Sequence, residues 1–190
     1  MLDDFNLLVS SARGNEREAN SELWYLIGEI GDRSVKTEYT PVSGLTVAKT
    51  QIDPVLVVEK LRSILKERPW EFRYVLKVKP VKKVVPCEVE QIVDAAVEQS
   101  NMIMEHETFR VSFEKRRNQI DSKTVIDAVA ARIRRKVDLQ NPKKIILVEV
   151  IGQVAGVSVI EPSQILGIER EKRAPSPQVR VEQTSQSPAV

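Results

Sequence analysis

The chain has 190 residues, 42% of them hydrophobic and 29% charged, which supplies a core and excludes a disordered protein. Its 29 Lys and Arg against 27 Asp and Glu leave a formal net charge of +2, so a nucleic-acid partner must be argued from where the charges lie. A single cysteine, Cys87, excludes an internal disulfide and a multi-cysteine metal site, and no apolar run approaches the roughly 18 residues of a membrane span.

In chain order, Phe5 to Val9 reads as a short strand ending at Ser10-Ser11-Ala12-Arg13-Gly14. A helix follows over 15–30, because Ala19, Leu23, Leu26, Ile27 and Ile30 recur on one face at 3.6-residue spacing. Gly31-Asp32 stops it, Val35 to Tyr39 alternates, Pro41 to Gly44 turns, and Leu45 to Thr50 is a returning strand. Asp53-Pro54 pairs an N-cap with a proline at the first helical position. Val57, Val58, Leu61, Ile64 and Leu65 line the buried side of that helix, Pro69 closes it, and Phe72, Tyr74, Leu76 and Val78 alternate as a strand. The order βαββαβ predicts a ferredoxin-like domain over residues 1–80.

The second half opens at Pro86 with a predicted helix carrying Val89, Ile92, Val93 and Ala96. Phe109, Val111 and Phe113 alternate with Arg110, Ser112 and Glu114 as a half-buried strand, followed by the basic turn Lys115-Arg116-Arg117-Asn118. Asp121 or Ser122 caps a helix whose stripe is Val125, Ile126, Val129, Ile133 and Val137. Asn141-Pro142 breaks the chain before Ile145 to Ile151, a continuous apolar run of the kind a strand buried on both faces shows. Gly152 to Gly156 is read as a turn into a last strand, Val157 to Ile160. The fold class expected is α/β (α+β), with a second α/β domain over 81–168. A disordered tail is expected over 169–190, where Pro, Ser, Gln and charges replace apolar residues.

Catalytic motifs are missing. There is no Gly-x-Gly-x-x-Gly and no phosphate-binding Gly-x-x-x-x-Gly-Lys. His106, the only histidine, has no nucleophile elbow beside it and reads as a polar turn residue; Cys87 lies at a helix start with no base partner in view. No metal, cofactor or small-molecule substrate is expected. Basic residues instead cluster at Lys77, Lys79, Lys82 and Lys83, at Lys115 to Asn118, at Arg132, Arg134, Arg135 and Lys136, and at Lys143-Lys144. Arg13-Gly14 adds a phosphate site at a helix N-terminus. Spaced cations of this kind suit backbone phosphates, and the strand over 45–50 offers no aromatic platform for single-stranded bases. Met1-Leu2-Asp3-Asp4 is not the basic start of a signal peptide. A cytoplasmic protein without a membrane partner is expected.

Two of these segments resemble the THUMP domain family. Glu107 to Asn118 is similar to its strand and basic turn, and Lys136-Val137-Asp138-Leu139-Gln140-Asn141-Pro142 resembles its Lys-Val-Asp-Leu-x-Asn-Pro signature, leading into Ile146 to Gly152. The span 5–165 resembles the branch in which a ferredoxin-like domain precedes THUMP without an enzyme domain after it. That branch comprises adaptors of tRNA cytidine acetylation. The resemblance implies a non-catalytic tRNA clamp that holds the acceptor end for an RNA cytidine acetyltransferase making N4-acetylcytidine. By motif match it implies RNA contacts at Lys115, Arg116 and Lys77. With the charge clusters, the candidate RNA-binding set is Arg13, Lys77, Lys79, Lys115, Arg116, Arg117, Asn118, Lys136 and Lys143. Asp138 and Pro142 are expected to shape the turn, and Gly152 and Gly156 to let the backbone turn tightly. Rival readings are a stand-alone RNA-binding or ribosome-associated module, and an enzyme using a ferredoxin-like cleft around Arg13 and Asn15 as an acylphosphatase does.

Overall fold

A computed structural model describes residues 3–173 of the chain. The first half runs β1 (Leu7–Ser11), α1 (Glu16–Glu29), β2 (Lys36–Tyr39), β3 (Leu45–Lys49), α2 (Pro54–Glu67) and β4 (Val75–Pro80). These strands form an antiparallel sheet in the order β4-β1-β3-β2, which is the ferredoxin-like arrangement the sequence predicts. The Asp53 carboxylate accepts hydrogen bonds from the backbone N–H groups of Val55 and Leu56 at 2.9 and 3.3 Å, and Pro54 follows it. Those contacts satisfy N-terminal donors that α2 would otherwise leave open. Leu7, Val9, Val75 and Val78 face the helices and meet Leu23, Leu26, Ile27, Val57 and Leu61 in one core. The last strand starts later than its pattern suggests. Phe72 is buried just after a 3-10 turn at Pro69–Glu71, while Tyr74 stays exposed, and a bulge at Ser10/Ser11 shifts the register.

The second half comprises β5 (Lys83–Pro86), α3 (Val89–Glu98), β6 (Thr108–Arg116), α4 (Ser122–Arg132), β7 (Lys136–Val137), β8 (Lys144–Ile151) and β9 (Val154–Ile160). Its sheet has the order β5-β9-β8-β6-β7, with β6 parallel to both its neighbours. Three features depart from the sequence reading. Residues 83–86, where the sequence reading has only a helix opening at Pro86, pair with β9, so Pro86 ends a strand and the helix begins only at Val89. The helix after Asp121 stops at Arg132, not beyond Val137. Ile133 is already extended, with φ −105° and ψ 109°, and Lys136–Val137 pairs with Thr108 and Phe109. Strand pairing on the open edge of β6 overrides helical periodicity there, and it leaves Val137 47% exposed. Finally, the turn is only Gly152-Gln153, with Gly152 at φ 58°, and Gly156 lies inside β9.

Past β9 the chain returns to the first sheet. β10 (Leu166–Gly167) pairs antiparallel with β4, and α5 (Ile168–Arg173) follows. Leu166 and Ile168 are buried in the first core, Arg62 binds Glu171 at 2.8 Å, and the Lys172 ammonium donates to the Phe72 carbonyl at 2.7 Å. Residues 169–173 are therefore helical and anchored, where an unstructured tail was expected; residues 174–190 lie outside the described residues.

The two sheets meet through the faces that carry no helices. Side chains alternate along a strand: Ile146, Val148 and Val150 pack beneath α3 and α4, while Ile145, Leu147, Glu149 and Ile151 point to the first sheet. Leu8, Val47, Phe5 and Val81 receive Ile151 there, and Val55 and Ile165 pack against Ile145 and Leu147. Gly156 belongs to this seam. A Cβ on it would come 3.0 Å from Val81, so the glycine permits close packing and does not make a turn.

Candidate nucleic-acid interface

Lys79 sits opposite Leu8 in the β1–β4 register and so faces the second sheet. It is 6% exposed, and its ammonium binds the carboxylates of Glu149 and, at 3.0 Å, Glu114. Arg116 closes the cluster from the end of β6, donating to Glu149 at 2.7 Å and to Glu114. Glu149 itself has no solvent exposure. Burial pushes the Glu114 carboxyl up, but the Lys79 hydrogen bond and the charges of Lys79 and Arg116 outweigh it and hold the group below the usual carboxylate range. Burial likewise works against the Arg116 charge, and Glu149 and Glu114 more than restore it. Lys79 and Arg116 were expected to touch RNA. Their charges are instead committed between the sheets, because an acid inside a buried strand needs cationic partners. The signal was present in the sequence: Glu149 interrupts an otherwise apolar strand.

Apart from Lys77, which lies at the domain junction, the remaining expected residues separate to two ends of the β6–β8 pair. At the C-terminal ends lie Lys115, Arg117 and Asn118. The Lys115 ammonium donates to the Ile120 carbonyl at 2.7 Å, and the Arg117 guanidinium to the Pro41 carbonyl at 2.9 Å. Arg117 holds φ 56°, a conformation non-glycine residues rarely adopt. Asn118 is structural: its amide donates to the Gly152 carbonyl at 2.6 Å and its oxygen accepts from the Ile120 N–H at 2.6 Å, locking the turn. Arg13 joins this end from the other domain, packed beside Gly44, whose loop also contains Pro41. The Gly14 N–H of the expected phosphate site is already bonded, however. The Glu16 carboxylate accepts from the N–H groups of Gly44 at 2.5 Å and Gly14 at 3.1 Å, which holds its pKa at about 2. The Gly14 N–H is thus spent on the protein's own carboxylate, and Arg13 remains as an exposed cation.

At the opposite end, roughly 26 Å away along β6, stand Lys136 and Lys143, both exposed. The turn between them is shaped by Asp138, whose carboxylate accepts from the N–H groups of Gln140 and Asn141 at 3.0 and 2.9 Å. Its pKa is lowered by those two bonds. Pro142 is buried behind the turn.

Two concavities connect this end to the domain junction. One, of about 350 Å³, is lined by Arg110, Gln140, Asn141, Pro142, Lys143 and Pro162. The second, of about 410 Å³, shares Arg110 and Pro162 and brings in Lys77, Ser112 and Arg170. Arg110 donates to the Leu139 carbonyl at 3.2 Å, yet its Nε is buried without a hydrogen-bond partner. Sequence reasoning missed Arg110 and Arg170. Arg110 could have been found, being the cation on the polar side of an alternating strand; Arg170 could not, because it arrives with the returning chain.

Nothing in the arrangement activates a nucleophile at the positions the sequence offered. Burial pushes the Cys87 thiol up, away from the thiolate, and His106 is exposed in the turn before β6. No described helix is long and apolar enough to cross a membrane.

Residues 88–160 match the family model of the THUMP domain. No curated protein matches the chain. Among solved structures, PH1313 from Pyrococcus horikoshii Ot3 superposes with a TM-score of 0.57 at 17% identity, covering 83% of this chain and 55% of that one. TrmN from Thermus thermophilus gives 0.56 at 17% identity, with 83% and 46% covered. A 4-thiouridine synthetase solved with RNA and bound ATP gives 0.51 at 16% identity, with 83% and 42% covered. The chain thus spans about half the length of these structures, and at such identities the likeness concerns the fold, across both halves of the chain. From α3 to β9, over residues 88–160, this chain carries a THUMP domain.

Proposed function

We propose that the chain is a tRNA-binding adaptor without catalytic chemistry of its own, presenting tRNA to an RNA cytidine acetyltransferase for N4-acetylcytidine formation. The THUMP domain at 88–160 carries this reading, since such a domain indicates RNA binding in a tRNA-modification context. It is supported by the Lys136–Pro142 signature, whose turn edges the Arg110 concavity, and by the fold shared with a synthetase solved with RNA. Exposed cations at Arg13, Lys77, Lys115, Arg117, Lys136 and Lys143 supply phosphate contacts on both domains. Their spacing across two ends of the molecule suits a folded RNA gripped by its backbone, each contact adding modestly through counterion release. The acceptor end is assigned to the Lys115–Arg117 end. The modest net charge of +2 fits an adaptor that shares its affinity with an enzyme partner through effective concentration.

Replacing Lys115 and Arg117 together by Ala should weaken tRNA binding and lower the slope of log K against log salt by roughly 2. Unchanged affinity and slope in a filter-binding titration would remove that end from the interface. Adding the chain to the acetyltransferase and tRNA should raise N4-acetylcytidine, read by nucleoside mass spectrometry. No gain, with tRNA binding intact, leaves an RNA-binding module and sinks the adaptor role.

A further inference from the structure

The geometry points to a second RNA contact, on the ferredoxin-like domain: an open aromatic groove between α1 and β2 that stacks an unpaired base of the bound RNA. This inference is ours and rests on the RNA-binding reading above. The aromatic residues of α1 and β2 stay at the surface. Phe5, Phe72 and Phe109 are buried, whereas Trp24, Tyr25 and Tyr39 are 53, 50 and 55% exposed. Those three are brought together by local geometry. Arg17, Asn20, Ser21 and Trp24 follow at helical spacing on one stripe of α1, and Thr37 and Tyr39 share the helix-facing side of β2. Between them lies a groove of about 690 Å³, a size that accepts a nucleotide.

A second feature points to a ligand with polar edges. Asn20 lines the groove, is only 8% exposed, and its side-chain oxygen is buried with no hydrogen-bond partner. Buried amides are normally paired. An amide has both a donor and an acceptor, the complement of a base edge, while indole and phenol rings stack on its face. Arg17, exposed at the groove, supplies a cation for the flanking phosphate.

Position favours RNA over a protein segment. β2 is the outer strand of its sheet and has no strand on its outer side among the described residues, so a peptide could add there. Yet β2 ends at Tyr39, two residues before Pro41, whose carbonyl receives the Arg117 guanidinium. Tyr39, at one edge of the groove, thus lies two residues from the contact that joins β6 to the loop beside Arg13, on the side of the basic end.

The test uses the full chain carrying Trp70→Phe, which leaves Trp24 as the sole tryptophan. Titrating a tRNA transcript should quench its fluorescence with the midpoint of binding. Trp24→Ala and Tyr39→Ala should each weaken binding roughly five- to hundredfold, the range for loss of a stacked base. The salt slope should not change, because no charge is removed. Both side chains are more than half exposed, so urea unfolding should stay the same. If wild type binds tRNA while both variants bind equally well and no quenching occurs, the groove holds no base. Unchanged tRNA affinity with lost stimulation of the acetyltransferase would make it a protein-docking surface and overturn the inference. A wild-type chain that binds no tRNA removes the RNA-binding reading itself, and this one with it.

Discussion

Glu149 shows how one side chain ties the two halves together. Its carboxylate lies fully buried in the middle of β8 and receives Lys79 from the first sheet and Arg116 from its own. A buried pair gains little over an apolar one, but breaking it strands a charge in a medium that cannot solvate it. Glu149→Gln should therefore cost about 3 kcal/mol in urea unfolding, toward the lower end of the range because Glu114 still faces both cations. Adding Lys79→Met to Glu149→Gln should recover part of the loss. A Glu149→Gln chain as stable as wild type would mean that water reaches the cluster. Arg116 matters here for a second reason: its removal would lower RNA binding through unfolding, so Lys115 and Arg117 are the better probes of the interface.

At the scale of elements, two glycines of the same composition have opposite meanings. Gly28 lies in the last turn of α1, and a methyl group added to it would meet nothing within 4 Å. Alanine there should add about 0.5 kcal/mol, the low end of the helix-propensity range, because the position is at the helix end. Gly156 lies in β9, where the same methyl would meet Val81 at 3.0 and 3.3 Å and the Phe5 ring at 3.5 Å. Gly156→Ala should cost about 1–3 kcal/mol by overpacking the seam between the sheets. Thermal unfolding of the two variants side by side checks the contrast, and shifts of the same sign would refute it. The end of α4 teaches the same point from another direction. Periodicity through Ile133 and Val137 favours a longer helix, but the Asp138 N–H bonds the Phe109 carbonyl at 2.9 Å and the Lys143 N–H the Thr108 carbonyl at 3.0 Å. The edge of β6 captures this segment because its donors and acceptors would otherwise go unpaired.

Over the whole molecule, the sheets share cores across the seam, and the chain crosses back at its end. Leu166 and Ile168 fill the first core after the THUMP strands are complete. Arg62 holds the returning segment through the Ser163 carbonyl at 2.6 Å and Glu171 at 2.8 Å. A chain ended at Ile165 should lose about 3–6 kcal/mol, the burial of two branched side chains, and should unfold at lower urea in a single transition. Unchanged stability would show that the first sheet does without its β10 edge. The return also supplies Arg170 to the junction concavity beside Lys77 and Arg110, so truncation should weaken tRNA binding as well.

Local signals in the sequence determined much of this protein. Alternation and helical spacing, the Asp53-Pro54 cap and the order of elements specify a ferredoxin-like half. The segments at 107–118 and 136–142 identify the THUMP half. These are short-range properties, expressed wherever a strand or helix buries one face. Only the tertiary structure decided which cations are free. Lys79 and Arg116 look no different in sequence from Lys77 and Lys115, and their fate depends on strands far apart in the chain facing one another. The same long-range pairing made a strand of Lys136–Val137, anchored residues 166–173, and gathered Trp24 and Tyr39 at one groove. Charge and aromatic content can be counted along the chain, but burial and convergence depend on contacts between distant residues, which composition and periodicity do not encode.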